Sequence, residues 1–538
     1  MMVVSSANTG GNAVKDFLQK HAKDVTGVLS GFDRLLFRGT IRMLSAPQGM
    51  RSYLWHQRVL LTDFGNHVLK VSTRLKDAVT KAVEDAGRPV VHLRSSSERK
   101  DLLARQIAER DGVKEGPVCL LKALEPCSSF EVRPNRSTKR LEVQRGFRKC
   151  LFLYRYEIHP TLGFIHARIQ SWFPFSVQIW INGREWLAQQ MDRAGLGYQR
   201  RDNCFMWLES PQRAQKLMDQ QLRVSWAKLL DQVLDRLNPI RRTMFGKLND
   251  IHLPYYWSVA QSEWATDILF RSTDALAGLY PRLVRHAITS FGSPDVMRFL
   301  GQKLTTDGRI HPSFLGQVVS NLKHRPEGIC VKHRINRNGI KVYDKQGSVL
   351  RIETTIHQPY DFKVFRTKEG DSAGKRAWRP LRHGIADLHR RCEISQAANQ
   401  RYGTALNAIS DAASLAELTH RICQPTALGG RRVRALRPWA PDELALLSAV
   451  ASGSFVLNGF RNRDIVAILH PKPSKDSRIQ RRRAAQSCRL LRILRAHSLI
   501  KKVPTTHRYM LTLLGRRAIT AIVAAGHASV ENLSKIAA

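Results

Sequence analysis

The chain has 538 residues and carries 87 Lys and Arg against 44 Asp and Glu, a formal charge of +43 at neutral pH. Hydrophobic residues make up 43%, enough to build packed cores, which excludes a basic disordered arm. No stretch has the length and apolarity of a membrane span, so a membrane partner is not expected.

The basic excess recurs from Arg34 to Arg517. A surface of one sign repels itself unless a polyanion neutralises it, and nucleic acid, DNA before RNA, is the partner this implies. Eight cysteines are scattered without a CxxC pair or zinc spacing. That is the pattern of reduced thiols in a cytoplasmic protein, and no leader of basic and apolar regions precedes it. A prior of roughly 150 residues per domain gives three or four domains.

Taken along the chain, residues 12–28 predict a helix, and GFDRLLFRGTIR, with Asp33, Arg34, Arg38 and Arg42, marks a polar domain start. Residues 50–86 sustain i, i+3, i+4 apolar spacing up to Gly87-Arg88-Pro89. A strand at 90–93, a helix at 98–110 capped by Ser95, Ser96 or Ser97, and a strand at 116–121 form a βαβ-like unit. Strands follow at 129–132, 140–143, 150–158, 164–173 and 176–181. Asn182-Gly183 turns the chain into a helix at 184–194, 198–207 adds a strand, and 211–236 is helical. The apolar pattern at 255–304 predicts helix, with breaks at Pro281 and Pro294. A second strand-rich block covers 329–366, a helix covers 384–409, and the polar stretch 424–437 predicts a linker. The fold class expected is multidomain α+β: a helical N-terminal region, mixed α/β central domains and a C-terminal winged helix-turn-helix. The divisions fall at 1–125, 126–240, 241–425 and 438–538.

The C-terminal segment carries the most direct functional signal. Between Phe455 and Val523 there are 16 Lys and Arg against two acids, Asp464 and Asp476. A helix at 441–451 is followed by one at 461–469, whose Ile465, Ile468 and Leu469 fit one buried stripe. A long cationic helix follows at 477–497, SRIQRRRAAQSCRLLRILRAH. Its Leu490, Leu491, Ile493 and Leu494 face a core, leaving Arg478, Arg481, Arg482, Arg483, Arg489, Arg492 and Arg495 for other faces. A hairpin, 499–503 and 508–512, then presents Lys501, Lys502, His507 and Arg508. Such a helix fits the major groove of B-DNA, with the hairpin beside the backbone or minor groove. The segment LLRILRAHSLIKKVPTTHRYMLTLLGRRAI resembles the helix–wing–helix end of MarR- and ArsR-type winged-helix proteins. The alternative is a winged helix that docks protein, its charges solvating one face.

A second segment, VKHRINRNGIKVYDKQGSVLRIETTIHQPYDFKVFR, reads as two strands, 339–345 and 348–356, around Lys345-Gln346-Gly347. Period-two alternation sets Lys341, Tyr343 and Lys345 on one face of the first strand and Arg351, Glu353 and Thr355 on one face of the second, and an aligned register joins them into one polar patch opposite an aliphatic one. Arg and Lys in such a patch hold phosphate, and Glu binds a divalent metal or orients the Arg. The pattern YDK…LRIE is similar to a stretch of rolling-circle replication initiators. That resemblance implies a metal-dependent DNA-nicking enzyme with Tyr343 and Glu353 as catalytic residues and Mg2+ or Mn2+ as the cofactor. Against it, FIHARIQ offers His166 alone, with Arg168 where a second ligand would stand, so His166 reads as structural and no metal ligand is assigned.

Elsewhere, Glu263 and Asp267 in SEWATD are four apart on an expected helix, where Arg271 is the natural partner of Asp267. The aromatic run from Phe152 to Trp186 reads as core before base-stacking surface. No P-loop, GxGxxG, HExxH or GxSxG stands in a usable context. As a whole the chain resembles a family of long bacterial proteins sharing SGFDRLLFRGTIR, RKCLFLYRYEIHPTLGFIHARIQSWFPF, NGREWLAQQMDRAGLGYQRRDNCF and IKVYDKQGSVLRIETTI. That resemblance implies an intact protein and transfers no catalytic residue. The expected function is nucleic-acid binding in the service of a mobile element or replication. The alternatives are the nicking enzyme and a ligand-responsive regulator.

Overall fold

The computed structural model describes residues 17–245, 253–306, 308–325, 328–368, 374–407, 415–452, 455, 459–472, 474, 476–504 and 506–529. In chain order these give β1 (Val25–Ile41), α1 (Pro47–His56), α2 (Phe64–Glu84), β2 (Val90–His92), α3 (Lys100–Arg110), β3 (Gly116–Pro134), β4 (Leu141–His159), β5 (Gly163–Gln170) and β6 (Val177–Asn182). Next come α4 (Gly183–Arg193), β7 (Tyr198–Arg201), β8 (Cys204–Leu208), α5 (Pro211–Asp219), α6 (Trp226–Leu237) and β9 (Tyr255–Phe270). The chain continues through α7 (Thr273–Thr289), α8 (Ser293–Phe299), β10 (Val318–Arg325), β11 (Gly328–Ile335), β12 (Asn338–Lys345), β13 (Val349–Ile356), β14 (Lys363–Arg366), β15 (Ala377–Pro380) and α9 (Leu388–Leu406). It closes with α10 (Leu415–Ile422), β16 (Thr426–Leu428), β17 (Arg431–Val433), α11 (Pro441–Val450), β18 (Phe460–Arg461), α12 (Asn462–Leu469), α13 (Ser477–Ala496), β19 (Ile500–Lys502), β20 (Arg508–Leu511) and α14 (Leu513–His527). The chain is therefore α+β, and no helix among the described residues is long and apolar enough to cross a membrane.

Contacts divide it into two compact units, both discontinuous in sequence. One, the sheet unit, comprises Gly27–Leu269 and Glu353–Ser395; the other, the C-terminal unit, takes the described parts of Met1–Thr26, Phe270–Ile352 and Gln396–Ala538. In the sheet unit the strand order is β13-β9-β1-β6-β5-β4-β3-β2, entered through the second half of β13. β2 runs parallel to β3, completing the expected βαβ step through α3, while β3 and β4 form one long antiparallel hairpin from Gly116↔Ile158 to Pro134↔Leu141. Asn135 Oδ1 closes its tip by accepting from the Ser137 amide at 2.9 Å. α2 buries Phe64, Val68, Val71, Leu75, Val79 and Val83, one stripe at helical spacing.

In the C-terminal unit β10, β11 and β12 form an antiparallel meander. A separate core joins Ile422, Leu446, Leu447, Val450, Phe460, Ile465, Leu490, Leu491, Leu494, Ile500, Ile519 and Ile522. Here three helices, α11, α12 and α13, precede a hairpin, and the small sheet is ordered β18-β20-β19.

Several expectations are corrected. Residues 25–28 are strand, not helix, and residues 12–16 lie outside the described residues. The 50–86 pattern is two helices separated by a turn of 3-10 helix at Leu61–Asp63. None of the three serines caps α3, because Ser95 Oγ is held in its own turn by Ser97 at 2.7 Å and Arg99 occupies the capping position. The 424–437 stretch contains the hairpin β16–β17, whose turn uses Gly429 and Gly430 at φ 58° and 73°. Most consequentially, residues 255–270 are the strand β9, not helix.

Candidate functional site

Three carboxylates from three adjacent strands meet in the sheet unit. Asp33 on β1, Glu263 on β9 and Glu353 on β13 each offer an oxygen, and these oxygens lie within 4.8 Å of one another. β9 lies between β1 and β13 in the sheet, so side chains on one face of three neighbouring strands converge. Asp33 is buried and Glu353 is 1% exposed, while Glu263 is half-buried and gives the group its solvent side.

The surrounding polar groups orient these oxygens. Asn203 Nδ2 donates to both Asp33 oxygens, at 3.3 and 3.1 Å, and Gln261 Nε2 donates to Glu263 Oε1 at 2.6 Å. Arg184, fully buried at the start of α4, donates from Nη2 to Asp267 Oδ2 at 2.9 Å and holds Nε 3.8 Å from Asp33 Oδ1. That helix begins where the Asn182 side chain accepts from the Arg184 and Glu185 amides, which fixes the guanidinium's root. Arg34 lies 5.7 Å from the Trp180 ring centroid. Burial pulls its pKa down, but the charges of Glu263, Asp33, Glu353 and Asp101 outweigh that and leave it raised.

The donor set fits a hard divalent cation. Octahedral Mg2+ with bonds of about 2.1 Å sets its oxygens roughly 3 Å apart when adjacent and about 4.2 Å apart when opposite. Three carboxylates spread over no more than 4.8 Å need only a small inward adjustment to share one ion, or a bridging water. Carboxylate ligands alone, without His or Cys, favour Mg2+, Mn2+ or Ca2+ over Zn2+.

The sequence-derived candidates divide accordingly. Glu353 is in this group, but the oxygens beside it are those of Asp33 and Glu263. Tyr343 is on β12 in the C-terminal unit, half-buried, with Lys341 Nζ 4.9 Å from its ring centroid. Arg351 is 0% exposed and Lys345 is buried, so neither presents a cation to a phosphate, and both are withdrawn from the expected interface. The expected Asp267–Arg271 helical pair does not form, because in a strand Glu263, Ala265 and Asp267 share a face and Asp267 meets Arg184. His166 is structural: its ring packs 4.7 Å from Tyr156, Nδ1 lies 3.4 Å from Asp101, and burial pushes its pKa down to about 4. The aromatic run is mostly core, with Phe152, Tyr156, Phe173, Phe175 and Trp186 buried.

The second arrangement is on α13. Leu490, Leu491 and Leu494 are buried, whereas Arg478, Arg481, Arg482, Arg489 and Arg492 are exposed. Arg483 is half-buried and donates to the Lys472 carbonyl at 3.0 Å. The Asp476 side chain accepts from the Arg478 amide at 2.7 Å and caps the helix, and Asp464 Oδ2 accepts from the Arg461 amide at 2.7 Å, so both nearby acids serve the backbone. Arg495 is exposed as well, and among the described residues no ion pair engages any of these six arginines. On the hairpin Lys501, Lys502 and His507 are exposed and Arg508 is half-buried. Ile468 is exposed, contrary to its place in the expected stripe, while Ile465 is buried.

Comparison with protein-family models, with curated proteins and with solved structures finds no match.

Proposed function

We propose that the protein binds nucleic acid, duplex DNA foremost, through a C-terminal winged helix-turn-helix in which α13 enters the major groove and β19–β20 is the wing. The observation that carries this reading is the row of exposed arginines on α13, none ion-paired among the described residues, opposite a leucine stripe anchored in the core. The helix is held rigidly while its cations remain solvated and available to phosphate or to guanine O6 and N7. The element order α11, β18, α12, α13, β19, β20 and the sheet order β18-β20-β19 support the same reading. Replacing Arg481, Arg482 and Arg489 by Ala is expected to weaken duplex binding at every salt concentration, measured by fluorescence anisotropy. Unchanged affinity would favour a protein-docking surface instead.

A second reading is favoured by one specific observation, the Asp33–Glu263–Glu353 group: metal-dependent cleavage of a phosphodiester. A divalent ion there would supply charge stabilisation to a phosphate oxygen and a bound water of lowered pKa. Asp33, Glu263 and Glu353 would hold it, Asn203 and Gln261 would fix their oxygens, and Arg34 would offer a cation to the phosphate. Tyr343 takes no part in this version. The test joins two measurements. Mn2+ binding to the protein alone, followed by electron paramagnetic resonance, should weaken at least tenfold in Glu353→Gln and in Asp33→Asn. Nicking of supercoiled plasmid with Mg2+ or Mn2+ should disappear in the same variants. Nicking that survives both substitutions would remove the site from the chemistry.

A further inference from the structure

The sheet unit also carries a small ribbon that neither α13 nor the carboxylates account for. β14 and β15 pair antiparallel with Phe365 directly opposite Trp378, the ring centroids 5.7 Å apart. Both rings stand in solvent, Phe365 53% and Trp378 68% exposed. Single exposed apolar residues are ordinary, but two large rings opposed on the open face of one hairpin, tilted 57° to one another, form an exposed aromatic pair whose separate faces are open to a planar ligand.

The backbone beneath is fixed. Val364 and Arg366 point to the inner side and are buried, and Arg366 donates to the carbonyls of Thr367 at 3.0 Å and Pro380 at 3.1 Å. The Leu381 amide donates to Phe362 at 2.8 Å and closes the ribbon's base. Close to the rings along the chain, Lys363, Lys368, Lys375 and Arg376 are exposed, and none is ion-paired among the described residues. Strand alternation sets Lys363 on the face of Phe365, and Arg376 immediately precedes β15.

We infer that the β14–β15 ribbon is a stacking platform for single-stranded nucleic acid. The inference rests on the reading of nucleic acid as the partner, and adds to it a strand whose bases are unpaired. Two flat rings attract a base face, which a duplex keeps stacked inside, and the four cations supply the phosphate attraction that a purely apolar protein contact would not use. The occupant is therefore single-stranded and read with little sequence preference, in contrast to the duplex assigned to α13.

The experiment measures the full-length protein against a labelled oligothymidylate and against a labelled duplex. In Phe365→Ala/Trp378→Ala, oligothymidylate affinity should fall roughly ten- to a hundredfold, with duplex affinity unchanged. Trp378→Phe, which keeps a ring and the fold, should retain single-strand binding to within a few-fold, whereas Lys363→Glu/Arg376→Glu should weaken it most at low salt. Single-strand affinity unaffected by the double alanine variant overturns the platform. So does self-association of the parent protein that the double variant abolishes, since a second copy would then cover the rings. Loss of duplex binding in the α13 variant reports on the winged helix alone, so the two readings fail separately.

Discussion

His333 on β11 has both ring nitrogens engaged, Nδ1 2.7 Å from Ser320 Oγ and Nε2 3.0 Å from Tyr402 Oη, and it is wholly buried beside Phe291 and Phe299. Burial pushes its pKa down to about 4 from an ordinary value near 6.5. The unfolded chain therefore takes up a proton below pH 6.5 that the folded imidazole refuses until about pH 4. Stability is full above pH 6.5, falls across that window and then levels, with this residue contributing on the order of 3 kcal/mol. His159 and His166, also held at about 4, act in the same direction. Urea midpoints measured between pH 7 and pH 4 should fall less steeply in His333→Gln than in the parent; identical slopes would show that the imidazole is not held neutral. Individual residues of this kind are partly legible in sequence. Asp33 within GFDRLLF and Glu353 within VLRIETTI are carboxylates embedded in apolar strands, and such a position demands a partner. What the sequence does not disclose is that they are each other's neighbours, because contact across strands so distant in the chain has no local signature.

At the scale of elements, β9 shows why the helix expectation fails. Its first half buries alternate residues, Tyr255, Trp257 and Val259, while from Gln261 onward nearly every residue is buried on both faces. A strand covered on both sides reads as a continuous apolar run, which periodicity cannot separate from a buried helix. By contrast, β12, β13 and α13 were legible because a turn, a cap or a one-sided charge pattern marked them. Gly183 illustrates an element junction of the opposite kind. The Asn-Gly pair looks like a simple turn, yet a Cβ at Gly183 would press into the Phe32 carbonyl oxygen, next to Asp33. Gly183→Ala must push the start of α4 away from β1, at a cost of about 1–3 kcal/mol by the measure of overpacked cores. The expected outcome is a lower urea midpoint together with weaker Mn2+ binding. Gly278→Ala, where a Cβ meets nothing within 4 Å in α7, should leave stability equal or slightly higher. A Gly183→Ala protein as stable as the parent would mean that this junction is not tight.

Across the whole molecule, the formal charge of +43 raises a competing explanation for any DNA binding. A protein so basic attracts polyanions through diffuse charge, and then no particular arginine matters more than another. Salt dependence separates the cases, since each neutralised phosphate contributes about −0.9 to the slope of log K against log salt on B-DNA. If Arg481, Arg482 and Arg489 sit on phosphates, replacing all three by Ala should reduce the slope by between two and three units, as well as weakening binding. A comparison variant removes Arg51, Arg136 and Arg140, which are equally exposed but lie far from α13 in the chain. It subtracts the same net charge, so a diffuse field predicts the same change in slope for both triples. A helix that docks predicts a large change for the first and little for the second. The measurement is anisotropy on one duplex across a salt series from about 50 to 200 mM, the range over which several phosphate contacts shift affinity by orders of magnitude. Equal slopes in the two variants would return α13 to the general surface, and the basic composition alone would then account for binding.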